Sequence, residues 1–372
     1  MNCITTFLQV LLALEIVTLV SSDELSVKVT RPQNNGLRSK QKVDIVDVKE
    51  RFLLSGDNEC EGEGAKLGLD STVPCFDDDG AVLAKVQAGS DVSVGYKGDF
   101  ITNGENSPYT KPFYTAGMCP VNVHWHLGSE HRSEGEFDEE GSGPTDIRDA
   151  EGHRTLVEGA VRLGLQCHYY DKKESMFTEE YNWQHCVDTH VGETYEVHWP
   201  HSVAGACGTV NQYQSPFLDG LFCRAGNLQD FDFANLQNQI GVQAQVFTIV
   251  NNEDYYYPDL MRGMIVDSSN GMGSEVTKYT GSSTGTIHNN TICSSYAPIT
   301  WHVDRKCHMI SASAFDKMCS DMQSQRDDMS EDLHAHGSRE IVDDALAADN
   351  HVNRKTLETP EGFQWSMSNI QY

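Results

Sequence analysis

Two short stretches of this 372-residue chain carry histidines and carboxylates at spacings that suit a metal ion. In Val121-Asn122-Val123-His124-Trp125-His126-Leu127-Gly128-Ser129-Glu130-His131 the side chains alternate between apolar and polar, the period expected of a β-strand. On such a strand Asn122, His124 and His126 project from one face, so two imidazoles stand side by side. A second strand, Tyr195-Glu196-Val197-His198-Trp199-Pro200-His201, places Glu196 and His198 on one face in the same way. His124, His126 and His198 with one water complete a tetrahedron. Zinc is the expected ion, and another divalent metal such as cobalt suits the same donors. Held by three neutral rings, zinc keeps its full double charge, and an open position lets it acidify bound water toward neutral pH. Glu196 and Asn122 are expected to orient the ligand rings from behind, since an acceptor on the second ring nitrogen fixes the tautomer.

Positioning these residues requires a sheet. Strand-like patterns begin with Val82, Leu83, Val86, Val92, Val94 and Tyr96 and continue through residues 242–250 and 299–303, while residues 153–163 read as a strand or a short helix. The apolar face of residues 242–250 either walls a pocket for a small nonpolar gas or packs into the core. Phe315, Met318, Cys319 and Met322 recur at helical spacing after Ser311, which predicts a short amphipathic helix behind the sheet. The expected class is mainly β with a few short helices: a single domain around a large, twisted, mostly antiparallel sheet. The expected organisation is a signal peptide over residues 1–22, an extension over 23–75, and a catalytic domain over 76–372 that ends in an acidic segment.

Composition narrows the function. The formal net charge is -28, from 55 acidic and 27 basic residues, so the surface repels phosphate backbones and nucleic acid is not an expected partner. Residues 4–20 are almost wholly apolar and run into Val20-Ser21-Ser22, a pattern suited to signal cleavage before Asp23. That run is shorter than the ~20 residues that span a bilayer, so no stable membrane insertion is expected after cleavage. Of 11 cysteines, Cys3 falls in this segment, and the 10 that remain are an even number with no Cys-x-x-Cys pair. Such a count implies disulfides and a secreted protein or one of the secretory lumen. Local closures such as Cys60 with Cys75 and Cys307 with Cys319 are the simplest pairings. Asn289-Asn290-Thr291 is an N-glycosylation acceptor.

The segment Cys119-Pro120-Val121-Asn122-Val123-His124-Trp125-His126-Leu127-Gly128-Ser129-Glu130-His131 resembles the signature of delta-class carbonic anhydrases, and the likeness extends over residues 90 to 320. A weaker likeness to the alpha class rests on the order His124, His126, Gly128, Ser129-Glu130-His131, then Glu196, His198 and His201, with tighter spacing between the first two groups. The resemblance implies an alpha-carbonic-anhydrase-like fold and reversible hydration of carbon dioxide to bicarbonate, by attack of a zinc-bound hydroxide. It implies His124, His126 and His198 as ligands, with Asn122, Glu196, His131 and His201 behind them. Tyr279-Thr280-Gly281-Ser282-Ser283-Thr284 is similar to a Gly-Ser-Leu-Thr-Thr segment of the alpha class. By that likeness Thr284, or Thr286 in its place, accepts a hydrogen bond from the hydroxide and donates its own proton to Glu130.

The other histidines carry weaker signals. His153, His168, His185 and His190 each lack a partner at ligand spacing and read as surface or core residues. His334 and His336 form a second His-x-His, but without alternating apolar neighbours they read as part of a solvated helix or tail. Residues 134–147 are rich in acid and glycine and read as a solvated loop. Gln214-Ser215-Pro216 is similar to an alpha-class Gln-Ser-Pro segment, yet it follows the second stretch instead of preceding the first. Two rival readings remain. His124-x-His126-x-x-x-Glu130 also fits half of a cupin motif, in which Glu130 touches the metal of an oxygenase or isomerase. A noncatalytic secreted module with a structural metal is the other.

Overall fold

Long runs of buried, strand-forming residues draw the chain into one sheet. In a computed structural model the described residues are 58–67, 72–74, 77–79, 107–144, 154–156, 159–161, 163–281, 292–294, 299–325 and 329–338, all within the compact unit Lys49–Tyr372. The strands are β1 (Thr72–Pro74), β2 (Cys119–Pro120), β3 (His124–Leu127), β4 (Phe137–Asp138), β5 (Arg154–Leu156), β6 (Gly159–Val161), β7 (Gln166–Cys167), β8 (Thr194–Ser202), β9 (Ile240–Val250), β10 (Val276–Gly281), β11 (Ile292–Ser294) and β12 (Ile299–Ser311). The helices are α1 (Glu63–Lys66), α2 (Phe217–Phe222) and α3 (Ala312–Gln323), with several 3-10 turns between elements. The expected mainly-β class with a few short helices is what is found.

The main sheet runs β10-β12-β9-β8-β2, and β3 also pairs with β8. Neighbours are antiparallel except β9 and β12, which are parallel. Every residue of β8 is buried, as a central strand covered on both faces requires. The chain from Cys119 to Leu127 follows one edge of β8 as two segments, β2 opposite Ser202 and His201 and β3 opposite His198 to Tyr195. At the end of β3 the chain turns through Gly128 at φ +73°, where a Cβ would lie 2.6 Å from the backbone of Gly164, a left-handed and crowded position that glycine tolerates.

The two faces of the sheet have different roles. Trp125, Tyr195, Val197, Trp199 and Phe247 face α3, whose Phe315, Met318, Cys319 and Met322 complete that core. The predicted helix is thus present with its predicted stripe, started by Ser311, whose hydroxyl accepts the Ala314 N–H at 3.1 Å. Its buried Asp316 accepts the backbone N–H groups of Gln184, His185 and Cys186, fixing the preceding loop. On the other face Val242, Ala244, Val246, Tyr279, Trp301 and Val303 form a second core. Of the two readings for residues 242–250 the core one holds, and the face that carries Ala244 and Val246 lies opposite His198 and Glu196.

Several expectations are corrected. Among the described residues, Cys60 bonds Cys223, Cys119 bonds Cys207, Cys167 bonds Cys307 and Cys186 bonds Cys319. The local closures Cys60 with Cys75 and Cys307 with Cys319 are thus replaced by links 88 to 163 residues apart. The reason is the sheet, which brings β7 beside β12 and the loop before β8 beside α3. Residues 134–147 are not a wholly solvated loop, because Phe137 and Asp138 form β4 and are buried. The apolar segment 4–20, most of the extension 23–75, residues 81–96, His153, Thr284, Thr286 and the sequon at 289–291 lie outside the described residues. No helix among the described residues is long and apolar enough to cross a membrane.

One end of the sheet makes stability depend on acid. His201 and His302 pack against Phe113, with ring centroids 5.1 and 4.2 Å away, and bond the carbonyls of Trp199 and Tyr109. Burial pushes each imidazole down to about 4, although those carbonyls favour the protonated ring. An unfolded histidine titrates near 6.5, so between pH 6.5 and about 4 the unfolded chain binds the extra protons. Stability is therefore fully present above about pH 6.5 and falls as pH drops toward 4. Denaturant titrations should show a slope of at most roughly 1.4 kcal/mol per pH unit from each ring, and H302N should lose one ring's share. An unchanged slope in H302N would remove this assignment.

Candidate metal centre

The register of β3 against β8 assembles the site. His124 lies opposite His198 and His126 opposite Glu196, and antiparallel partners hold their Cβ atoms about 5 Å apart. The ring centroids are 5.3 Å apart for His124 and His126, 5.3 Å for His124 and His198, and 4.7 Å for His126 and His198. All three are buried. Burial pushes His124 well below its ordinary range, the neighbouring His198, His336 and His126 add to this, and only Glu130 opposes it. That ring is neutral at physiological pH, the form that can donate to a metal.

Each ring is braced from outside. His124 Nδ1 lies 2.7 Å from Asn122 Oδ1, and Asn122 in turn donates to the Gln214 carbonyl and to Asp332. His126 Nδ1 lies 3.3 Å from the Gly337 carbonyl and 3.5 Å from Glu130 Oε1. His198 Nε2 is buried without a hydrogen-bond partner, 3.6 Å from Glu196 Oε1. Glu196 is the hub of this shell. One oxygen meets His131 Nδ1 and the other accepts the Glu130 N–H at 2.6 Å. Burial alone would raise the Glu196 carboxyl, but His131, by charge and hydrogen bond, and then His198 hold it far below the usual carboxylate range. Trp301 closes the inner side, 5.1 Å from the His198 ring and 5.2 Å from that of His131, while Phe217 lies 5.5 Å from His124.

Of the residues picked out in the sequence, Asn122, His124, His126, Glu130, His131, Glu196 and His198 come together. His201 is not among them. Three positions after His198 on a regular strand it takes the opposite face, against Phe113. His168, His185 and His190 bond Asp138, Gln323 and Asp188, away from the cluster.

His336 is the main correction. The reading of His334 and His336 as solvated holds for His334, which is exposed, but His336 enters the cluster with its ring 5.3 Å from His124 and 5.6 Å from His126. Burial opposes its protonation, yet Asp332, by hydrogen bond and charge, and Glu130 raise it above the ordinary histidine range. Ser215 donates to Asp332 at 2.9 Å, so the displaced Gln-Ser-Pro segment supports the site from beneath. Potential ligand atoms within 4.8 Å of one another fall into overlapping sets: His124, His126 and His336; His126, Glu130 and His198; His131, Glu196 and His198.

The family model for delta carbonic anhydrase matches residues 115–314, more than half of the chain. The chain belongs to the delta carbonic anhydrase family. No curated protein matches it. Family membership decides the reaction class: this is a carbonic anhydrase, an enzyme acting on carbon dioxide and bicarbonate, and the cupin-type and noncatalytic readings fall away. Carbonic anhydrases of this family use a divalent metal, and the residues present fit one. Their donors are three buried, clustered imidazoles, of which His124 is held in its neutral form by burial and by its neighbours. The four long-range disulfides fit an oxidising compartment.

Proposed function

We propose that this carbonic anhydrase is zinc-dependent and that His124, His126 and His198 hold the ion. The supporting observation is the β3–β8 register, which gathers three imidazoles at mutual centroid distances of 4.7 to 5.3 Å. The braces assign the ligand atoms: Nε2 for His124 and His126, whose Nδ1 atoms face Asn122 and Gly337, and Nδ1 for His198, whose Nε2 lies toward Glu196. When bound, zinc supplies a Lewis acid that generates hydroxide near neutral pH for attack on carbon dioxide, as established for carbonic anhydrases generally.

The chain's own residues supply orientation and dryness. Asn122 and the Gly337 carbonyl keep two rings in one tautomer, and Glu196 fixes His131, the Glu130 backbone and the outer side of His198. Trp301, Ala244 and Val246 form an apolar wall beside His198 and Glu196, a surface suited to an uncharged, nonpolar substrate. Thr284 donates its hydroxyl proton to Glu130, which leaves the threonine oxygen able to accept only from the nucleophile and so aligns it. Delivery by a secretory route, with residues 1–22 removed and 76–372 as the catalytic domain, completes the reading.

Metal analysis of the purified protein should find about one zinc per chain, with carbon dioxide hydration that chelation removes and zinc restores. T284A should keep its zinc while hydration slows by on the order of 10². Hydration by T284A at the parent rate would overturn the role given to Thr284, and stable activity without a metal would overturn the proposal itself.

A further inference from the structure

The described segment 329–338 brings a carboxylate to the site from 210 residues away in the sequence. Met329, Leu333 and Ala335 are buried in the core beside α3. Backbone bonds tie down the rest: Val187 N–H donates to the Leu333 carbonyl at 2.8 Å, His336 N–H to the Trp125 carbonyl at 2.8 Å, and Leu127 N–H to the His336 carbonyl at 2.9 Å. The 3-10 turn Ser330–Asp332 starts from Met329, whose φ of +44° is unfavourable for a residue with a side chain. This turn sets Asp332 against the outer side of Asn122. Its Oδ2 accepts the Asn122 amide at 2.8 Å and the Ser215 hydroxyl at 2.9 Å, and its Oδ1 lies 3.1 Å from His336 Nε2. Asp332 is buried, and a carboxylate in such a place is costly unless its oxygens are satisfied.

Resting on the reading of His124 as a zinc ligand, we propose that Asp332 is a positioning residue for the metal, acting on His124 through Asn122. A side-chain amide has two N–H donors and one carbonyl. Both donors of Asn122 are taken, by the Gln214 carbonyl at 2.7 Å and by Asp332, so its oxygen is the atom that faces His124 Nδ1, 2.7 Å away. Turning the amide over would set its carbonyl against a carbonyl and a carboxylate. His124 Nδ1 therefore carries the proton, and Nε2 keeps the lone pair that a metal takes. The carboxylate of Asp332 also polarises the amide, so Asn122 Oδ1 accepts more strongly and the ring becomes a stronger donor to the ion. Gln214 offers a neutral carbonyl, which helps to fix the orientation but adds no charge.

Zinc affinity of the full-length protein, read by competition with a chromophoric chelator, tests this in a double-mutant cycle. D332N keeps the shape and removes the charge. It should weaken zinc binding about 3- to 10-fold, less than the roughly 10- to 100-fold expected of N122A, in which the partner of the ring itself is gone. N122A/D332N should bind zinc no more weakly than N122A, because Asp332 then has nothing to act through. Parental affinity in D332N would overturn the proposal, and so would an equal loss with and without Asn122, the result of a merely structural role. Should D332N fold poorly, the exchanged pair N122D/D332N decides. There the introduced amide can donate to the introduced carboxylate, so zinc should bind more tightly than to N122D, in which two carboxylates face each other. No recovery would overturn the proposal as well. H124A separates this inference from the zinc reading. If H124A binds zinc as the parent does, the reading of His124 as a ligand fails; if H124A loses zinc while D332N keeps parental affinity, only the role given to Asp332 falls.

Discussion

Replacing His126 with alanine should remove the metal and carbon dioxide hydration together. The ring is buried at the centre of the cluster, 4.7 Å from His198 and 5.3 Å from His124, and it belongs to two of the potential ligand sets in this cluster. The opposing residue on β8, Glu196, does not replace it, being already engaged by His131 and the Glu130 backbone. Without its central ring the site should lose its ion on dialysis, and kcat/KM should fall by at least about 10³, the equivalent of several kcal/mol of lost transition-state stabilisation. Metal analysis and stopped-flow hydration on the same sample check the pairing of the two losses. A variant with one zinc per chain and parental turnover would remove His126 from the site.

The second large effect belongs to a residue that touches no substrate. E196A should lower stability by about 3–5 kcal/mol, the usual result of removing one partner from a buried charged network. It leaves His131 Nδ1 and the Glu130 N–H without their acceptor in a fully buried place, and it frees the outer side of His198. Zinc affinity should fall about 10- to 100-fold, as expected when the group behind a ligand is lost. E196Q is the instructive comparison. Both carboxylate oxygens accept hydrogen bonds from donors, so the amide N–H₂ must face one of those donors, and this isostere should also be destabilised. Urea titrations and competition with a chelator measure the two effects. Parental stability in E196A would mean that the hub is not structural.

Local pattern made part of this molecule readable. The alternation through His124, Trp125 and His126 and through Glu196, Val197 and His198 defines two strands, and the structure pairs them directly. The stripe from Phe315 to Met322 likewise identifies α3. What could not be read was long-range pairing. His336 is 210 residues from the strand it joins and lies in a polar context, so periodicity gives no sign of it. Only its His-x-His spacing with His334 marked it. The disulfide partners were hidden for the same reason, since loop closure costs grow slowly with length and distant cysteines compete well with near ones. His201 shows the opposite error. A likeness in order placed it behind the metal, but an odd step along a strand turns it to the other face.

Two of the cystine links tie neighbouring chain to the framework: Cys167 on β7 to Cys307 on β12, and Cys186 in the loop before β8 to Cys319 on α3. These covalent ties, with the aromatic core between them, hold the histidine strands in register whether or not a cation is bound. Small metal-dependent domains commonly fold only around their ion. Here covalent links and an apolar core hold the ligand strands, so loss of the ion should leave the fold standing.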